Sequence, residues 1–432
     1  MRVQGEAMGS SRKFYDLTAR ERLEVLEAAG EISVDDAAEL RRVNEAGVLP
    51  VDVAAHLIEN QVSQYALPFS VIRGLVVNGK SYTVPMVVEE ASVVAAASHG
   101  AHMAARCGSI NAQSEPHRVI GEIVFEASNV SVEKAQSILV SRGTQIQDIA
   151  RTALPSMHAR GGGLESIEVD SVGSFTRFIL TVNPCDAMGA NAVNTIAEAL
   201  KNALSQWLGA SALVAILTNS GQASVTTAEV ELSPESVAVR GSDPEQLIQR
   251  IARLSDLAAV DLQRAVTHNK GIMNGISAAV VASGNDWRAV ESSAHAYAAK
   301  NGTYKPLSTW QVNEKGNLCG RIEIPLQVGI VGGAASSLPV AKIARRVCGC
   351  TTVDEFKNVL AALGLVQNLS ALRALAGPGI QAGHMNLQMN ALAIAAGARG
   401  EEINKVVEQL RALPSHKRTS ATAEYLVKAL RA

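Results

Sequence analysis

Residues 74–88 carry the pattern that most restricts the fold. Leu75-Val76-Val77 and the stretch from Tyr82 to Val88 have strand character, and Asn78-Gly79 lies between them. Asn-Gly in that position reads as strand, tight turn, strand, because both residues tolerate the positive φ of a two-residue hairpin loop. On either side the spacing is helical. Thr18-x-x-Glu21 is a capping box ahead of Leu23 and Leu26, a second helix start falls at Ser33, and Glu90 to Arg106 is an alanine-rich helical stretch.

The hairpin also bears on a nucleotide motif. Residues 74–81, Gly-Leu-Val-Val-Asn-Gly-Lys-Ser, match the phosphate-loop pattern G-x-x-x-x-G-K-S. That motif works only when a helix N-terminus follows the lysine and presents its amides to phosphate. Tyr82, Val84, Pro85 and Val87 do not start a helix, so Lys80 belongs to the hairpin. A phosphohydrolase using Lys80 is kept as the alternative from another class.

From His117 the period changes again. Val119–Phe125 and 166–169 read as strands with a helix between them. Arg177–Val182 is a third strand, and the strong helix DAMGANAVNTIAEAL follows it. Residues 213–217 and 224–232 are further strands, which makes a small α/β domain of about 100 residues. Helices resume at Asp243-Pro244-Glu245, a capped start. Gly320 to Gly333 is strand-like and ends in a glycine cluster. Glu401–Leu413 and Ala421–Leu430 are terminal helices, and the C-terminal segment is a candidate flap.

Apolar residues make up 47% of the 432 positions but aromatics only 3%. The core is therefore built from Ala, Val, Leu and Ile in closely packed helices and buried strands. A net charge of -2 excludes a nucleic-acid footprint, which needs a basic surface. Five scattered cysteines without C-x-x-C exclude a disulfide or zinc framework and fit reduced thiols in a cytoplasm. No apolar run approaches the ~20 residues of a membrane span.

Candidate chemistry concentrates between Arg264 and Glu291. Lys270 sits among Thr267, His268, Asn269 and Asn274, in what reads as a polar loop hinged by glycines, with His268 able to orient it. Asp286 follows one strand-like run later in a Gly-Asn-Asp turn. A lysine beside a carboxylate suits stabilisation of a developing oxyanion. Glu89-Glu90 heads an apolar helix. The pair either complements the helix dipole or holds one acid buried and protonated as a proton donor. Asp186-Ala187-Met188-Gly189-Ala190-Asn191 joins a strand to a helix that Asp186 can cap. Gly189 there permits close backbone approach, and the exposed amides favour a phosphate or dinucleotide. His384, in GIQAGHMNLQ, is either a satisfied helix-start histidine or a general acid near neutral pH.

Taken together, VPMVVEEASVVAAAS, DAMGANAVNTIAEA, RAVTHNKGIMNGI, ASGNDWRAVESSAHAYAAKNG and GLVQNLSALRALAGPGIQAGHM resemble class II 3-hydroxy-3-methylglutaryl-coenzyme A (HMG-CoA) reductases over roughly residues 50–400. The resemblance implies an α+β fold. A large mixed helical and sheet domain (1–116 and 220–376) would carry an inserted small ferredoxin-like, dinucleotide-binding domain (117–219) and a C-terminal helical flap (377–432). It implies the catalytic set Glu90, Lys270, Asp286 and His384. Arg264, Ser92, Asn219 and Asn274 would contact substrate, and the loop Asp186–Asn191 would hold the cofactor. The substrate would be the coenzyme A thioester, reduced in two hydride steps to mevalonate, or the reverse. In that chemistry Lys270 meets the oxyanion, His384 protonates the coenzyme A thiolate, and Glu90 or Lys270 delivers the proton of the second step. Asp286 would couple to both Lys270 and Glu90. Gly377, Gly379 and Gly383 are candidate hinges.

The sequence departs from the family at Glu59-Asn60-Gln61-Val62-Ser63-Gln64-Tyr65, at Ala91, at Cys107–Asn111 and at Gln388. NADH-preferring members place an acid in the helix before the triple-glycine turn. Here Arg151-Thr152-Ala153-Leu154 precedes Gly161-Gly162-Gly163, so NADPH is expected over NADH, with Arg151 on the 2′-phosphate. A cytoplasmic homodimer, or a higher assembly of dimers, with shared active sites and no membrane or nucleic-acid partner is implied. A non-catalytic coenzyme-A-binding relative is the third reading.

Overall fold

The computed structural model describes residues 13–46, 49, 51–239, 241–333, 337–377 and 389–431. The fold is α+β. Helices α1 (Ala19–Ala28), α2 (Val34–Ala46) and α3 (Val51–Leu57) come first. The hairpin β1 (Phe69–Val77) and β2 (Lys80–Val87) follows, then α4 (Ala91–Arg106) and β3 (Asn111–Ser114). The capping box is present, with Thr18 accepting from the Glu21 amide and Glu21 from the Thr18 amide. The hairpin turns at Asn78 (φ 50°) and Gly79 (φ 80°), as its sequence requires. Lys80 opens β2 and pairs with Glu355 at 2.5 Å, so it presents nothing to a phosphate. Burial pushes the Glu355 carboxyl up, but Lys80, the Thr351 amide and Tyr82 outweigh it and bring it to about 2.

The chain leaves a four-stranded sheet at β3 and returns to it at β8 (Val225–Leu232), which pairs antiparallel with β3. Between them lie β4 (Val119–Glu126), α5 (Val132–Ala153), α6 (Pro155–His158), β5 (Gly163–Val172), β6 (Phe175–Asn183), α7 (Ala190–Leu208) and β7 (Val214–Leu217). These strands form their own antiparallel sheet in the order β5-β6-β4-β7, the ferredoxin-like arrangement. They enclose a separate apolar cluster built on Phe125, Phe178 and Leu200.

After β8 come α8 (Pro244–Val260), α9 (Leu262–Ala282), α10 (Trp287–Ala298), β9 (Ser308–Val312) and β10 (Leu318–Pro325). Then follow α11 (Pro339–Cys348), α12 (Val353–Ala376), α13 (Glu401–Ala412) and α14 (Ser420–Arg431). The large sheet has the order β3-β8-β10-β9. β9 and β3 are short and escape a pattern reading, while β10 stops at Pro325 and the run to Gly333 is irregular. α13 and α14 pack on a small cluster of their own around Val406 and Leu410.

α12 is the axis of the main core. Seventeen of its residues are buried, so it shows no polar face. Among the described residues it is the one helix long and apolar enough to cross a membrane, and 72% of its most apolar window is buried inside the protein. Glycines let its neighbours close in. A Cβ on Gly100 of α4 would fall 2.9 Å from the Val366 Cβ, and one on Gly364 would meet Ile276 of α9 at 2.7 Å.

Candidate active site

Lys270 stands on a helix, not in a loop. α9 runs unbroken from Leu262 to Ala282, and the strand-like run before Asp286 is its last two turns. The glycines that read as hinges are packing positions. A Cβ on Gly271 would sit 3.9 Å from Ala371, and one on Gly275 would sit 3.2 Å from the Gln367 Cβ. Each glycine weakens an isolated helix by about 1 kcal/mol, and contact with α12 offsets that loss.

The register of α9 is fixed by the two residues before Lys270. Asn269 is fully buried; its amide donates to the Lys305 carbonyl at 2.9 Å and accepts from the Leu307 amide at 2.8 Å. His268 Nε2 lies 2.7 Å from Ser308 Oγ, whose own hydroxyl donates to Asn368 Oδ1 at 3.0 Å. Ser308 has a single proton to give, so the imidazole donates to it. Burial pushes His268 down to about 4, which keeps it neutral. Asn269→Ala is expected to cost about 2 kcal/mol by urea denaturation, because the buried Leu307 amide and the part-buried Lys305 carbonyl lose their partner; an unchanged midpoint would contradict this anchoring.

Anchored this way, α9 turns Arg264, Thr267 and Lys270 to its exposed side, with Asn274 one turn further on and half-buried. Arg264 Nη2 donates to Thr267 Oγ1 at 3.1 Å. Lys270 has no hydrogen-bond or ion-pair partner among the described residues. Asp286 caps α10, accepting from the amides of Arg288 and Ala289 at 3.0 and 3.3 Å, and pairs with the Arg288 side chain. Burial raises its carboxyl, but Arg288 and the helix amides outweigh that and hold it below the usual carboxylate range. Glu90 is exposed as the N-cap of α4, with its carboxylate 3.2 Å from the Ser92 amide, and Ser92 is half-buried. The expectation of a buried acid at this pair is not met within the chain; the capping role is.

Among the described residues Asp286 makes no hydrogen bond or ion pair with Lys270, for a geometric reason. Twelve residues of α9 separate Lys270 from Ala282, so Asp286 begins roughly 18 Å further along the helix axis. α4 and α9 both run antiparallel to α12. Ala96 of α4 accepts from Ser370, while Gly100 meets Val366; Gly271 of α9 meets Ala371, while Ile276 meets Gly364. Glu90, Ser92, Arg264 and Lys270 therefore gather toward the C-terminal end of α12. That helix ends at Gly377, whose amide donates to the Arg373 carbonyl. His384, Gly379, Gly383 and Gln388 lie outside the described residues.

Asp286 belongs to the other end. There Asp186 accepts from the Val353 amide at 2.9 Å, so it caps α12 and not α7 as its position implied. Gly189 is the N-cap of α7, with φ 99° and no side-chain cap, and a Cβ there would strike Val119 and Pro184. Among the described residues no side chain caps the first amides of this 19-residue helix, an arrangement that fits a phosphate group. The Ala187 carbonyl lies 2.9 Å from Nε2 of buried His117, which burial and the charge of Lys357 push down to about 4. Met188 and Ala190 are half-buried and Asn191 is exposed. The triple-glycine turn abuts this loop, since a Cβ on Gly162 would meet Cys185 Sγ at 2.7 Å. Arg151, exposed on α5, pairs with Asp148 one turn before it, an acid that the reading of residues 151–154 did not include. Asn219 is exposed on the crossover to β8, two residues before Gly221, which packs on Pro325 and Ser293 of α10. Nothing in the sequence marked Asn269 or His117 as anchors, because each acts on backbone groups far away in the chain.

The fold and the uncapped helix start at Gly189 fit a dinucleotide-dependent oxidoreductase. The family model described as hydroxymethylglutaryl-coenzyme A reductase matches residues 18–389. The chain is 41% identical over 401 residues to 3-hydroxy-3-methylglutaryl-coenzyme A reductase of Archaeoglobus fulgidus, covering 91% of this chain and 89% of that one. It is 34% identical over 343 residues to a probable enzyme of the same name from Borreliella burgdorferi, covering 78% of each. Among solved structures, the Streptococcus pneumoniae reductase superposes with a TM-score of 0.80 at 35% identity, covering 97% of this chain and 99% of that one. A class II structure from the same organism, bound to NADPH in open conformations, gives 0.79 at 35% identity, covering 96% and 100%. The chain belongs to the hydroxymethylglutaryl-coenzyme A reductase family.

Proposed function

We propose that this protein reduces HMG-CoA to mevalonate and free coenzyme A with two equivalents of NADPH, as a cytoplasmic homodimer whose two chains share each active site. The observation that supports this reading is that Gly329 and Ile330 bond in turn to Asn285, the neighbour of Asp286, and to the Asp186 carbonyl of the proposed cofactor loop. NADPH, when bound there, supplies the hydride. The free amides of α7 hold its phosphates and Arg151 meets the 2′-phosphate. Arg264, Ser92, Asn219 and Asn274 bind the hydroxymethylglutaryl group. Lys270 stabilises the oxyanion of the hemithioacetal, and His384 protonates the coenzyme A thiolate as that intermediate collapses. Glu90, or Lys270 itself, gives the proton that completes mevaldehyde reduction.

Pairing follows from the separation along α12. Glu90 and Lys270 sit toward one end of a helix about 36 Å long, and Asp286 and the cofactor loop at the other. A two-fold arrangement sets one chain's first group against its partner's second. Val62 and Tyr65, 97% and 89% exposed on the segment after α3, are apolar surface for such a contact. The division into 1–116 with 220–376, 117–219 and 377–432 is supported by the exit and return at β3 and β8 and by the separate apolar clusters.

The test is mevalonate- and coenzyme-A-dependent reduction of NADP⁺ and NAD⁺ in parallel. Turnover is expected with both, with kcat/KM at least about tenfold higher for NADP⁺, and Arg151→Ala is expected to remove most of that difference. Absence of turnover under both conditions would overturn the function; a strong NAD⁺ preference would overturn the role of Arg151.

A further inference from the structure

We infer that Asn285 is a positioning residue for hydride transfer, locking the cofactor loop to the turn that carries Asp286. The inference rests on the proposed reductase reading and adds a residue to it. The Asn285 side chain binds both backbone polar groups of one residue, Gly329, and so spans two successive peptide units. Its Oδ1 accepts from the Gly329 amide at 2.8 Å, and its Nδ2 donates to the Gly329 carbonyl and to Ser283 Oγ, both at 3.0 Å. The amide's acceptor and both its hydrogens are used. Gly329 in turn lies flat on the cofactor loop. A Cβ there would come within 2.7 Å of the Ala187 carbonyl carbon and overlap the Met188 amide. The next amide, Ile330, donates to the Asp186 carbonyl at 2.9 Å, and Ala187 and Val331 form a parallel bridge.

One side chain adjacent to Asp286 therefore sets how far the loop lies from the carboxylate. A side-chain amide carries both the acceptor and the donor that the two backbone groups of Gly329 require. Alanine removes both contacts, and aspartate keeps the acceptor but loses the donors. Hydride transfer depends steeply on this spacing, so release of the strap is felt in the chemical step.

The test compares wild type with Asn285→Ala, Asn285→Asp and Gly329→Ala. Asn285→Ala is expected to raise KM for NADPH on the order of tenfold, leave KM for HMG-CoA within about twofold, and increase the deuterium isotope effect with [4-²H]NADPH. Asn285→Asp is expected to lie between it and wild type. Asn285→Ala and Gly329→Ala break the same link, so the effects of the double variant should fall well short of additive. If Gly329→Ala does not fold, the two Asn285 variants decide the question alone. A merely structural loss would lower thermal stability and leave the isotope effect where it was. An active wild type whose Asn285→Ala variant keeps its NADPH KM and isotope effect overturns this role and leaves the reductase reading standing; a wild type with no turnover on HMG-CoA overturns the reading beneath it.

Discussion

Lys270→Ala is expected to lower HMG-CoA reduction by on the order of 10²–10³-fold while leaving the unfolding midpoint unchanged. The first half follows from chemistry. The oxyanion formed by the first hydride needs a cation within hydrogen-bond reach, and loss of one such donor elsewhere is worth that factor. The second half follows from position. Lys270 is exposed and makes no hydrogen bond or ion pair among the described residues, and alanine is the better helix former. The anchors of α9, His268 and Asn269, point the other way and stay in place. Steady-state rates and a thermal melt on the same preparation check both halves. A variant with a tenth or more of wild-type activity would remove Lys270 from the oxyanion role. A variant that loses activity together with several degrees of Tm would recast it as a structural residue.

Two variants that are each inactive, Lys270→Ala and Asp286→Asn, are expected to recover activity when co-expressed. Within one chain the two residues are separated by the last three turns of α9, so a site containing both draws them from different copies. In a mixed dimer one site then carries both lesions and the other carries neither. Random pairing gives about half mixed dimers with one intact site each, hence about a quarter of wild-type activity. Purification through two different tags isolates the mixed dimer and should raise that to about half. No recovery in a preparation shown to contain mixed dimers would mean that each chain builds its own site, and the two-fold arrangement proposed here would be wrong. Asp286→Asn keeps an acceptor for the amides of Arg288 and Ala289, so the cap of α10 survives and the loss is read as chemistry.

Much of this was legible in the sequence because the signals are local. Asn78-Gly79 needs no distant partner to turn the chain, and the Thr18 capping box closes within four residues. The alternation from Val119 to Leu217 yields the inserted sheet for the same reason. The residue types of the candidate chemistry were equally plain, since GNDWR and THNKG are contiguous. The misplaced elements share a cause. Glycines at 271 and 275 lower helix propensity, so the segment read as a loop. Their contacts with Ala371 and Gln367, about a hundred residues away, make it a helix. Asp186 read as a cap for the helix that follows it, and the fold gives it instead to Val353.

By itself, then, the sequence determined most of the element types, the family and the kinds of side chain available for the reaction. Those depend on short-range turn chemistry, periodicity and contiguous motifs. Only the tertiary structure decided that Lys270 rides on a helix, that Asp286 lies beyond three further turns of that helix, and that Asn285 bonds to Gly329, which packs on the loop Asp186–Asn191. Each of these depends on which distant backbone groups and small residues meet along α12. Burial against a helix formed late in the chain overrides local propensity, and no spacing within a motif records it.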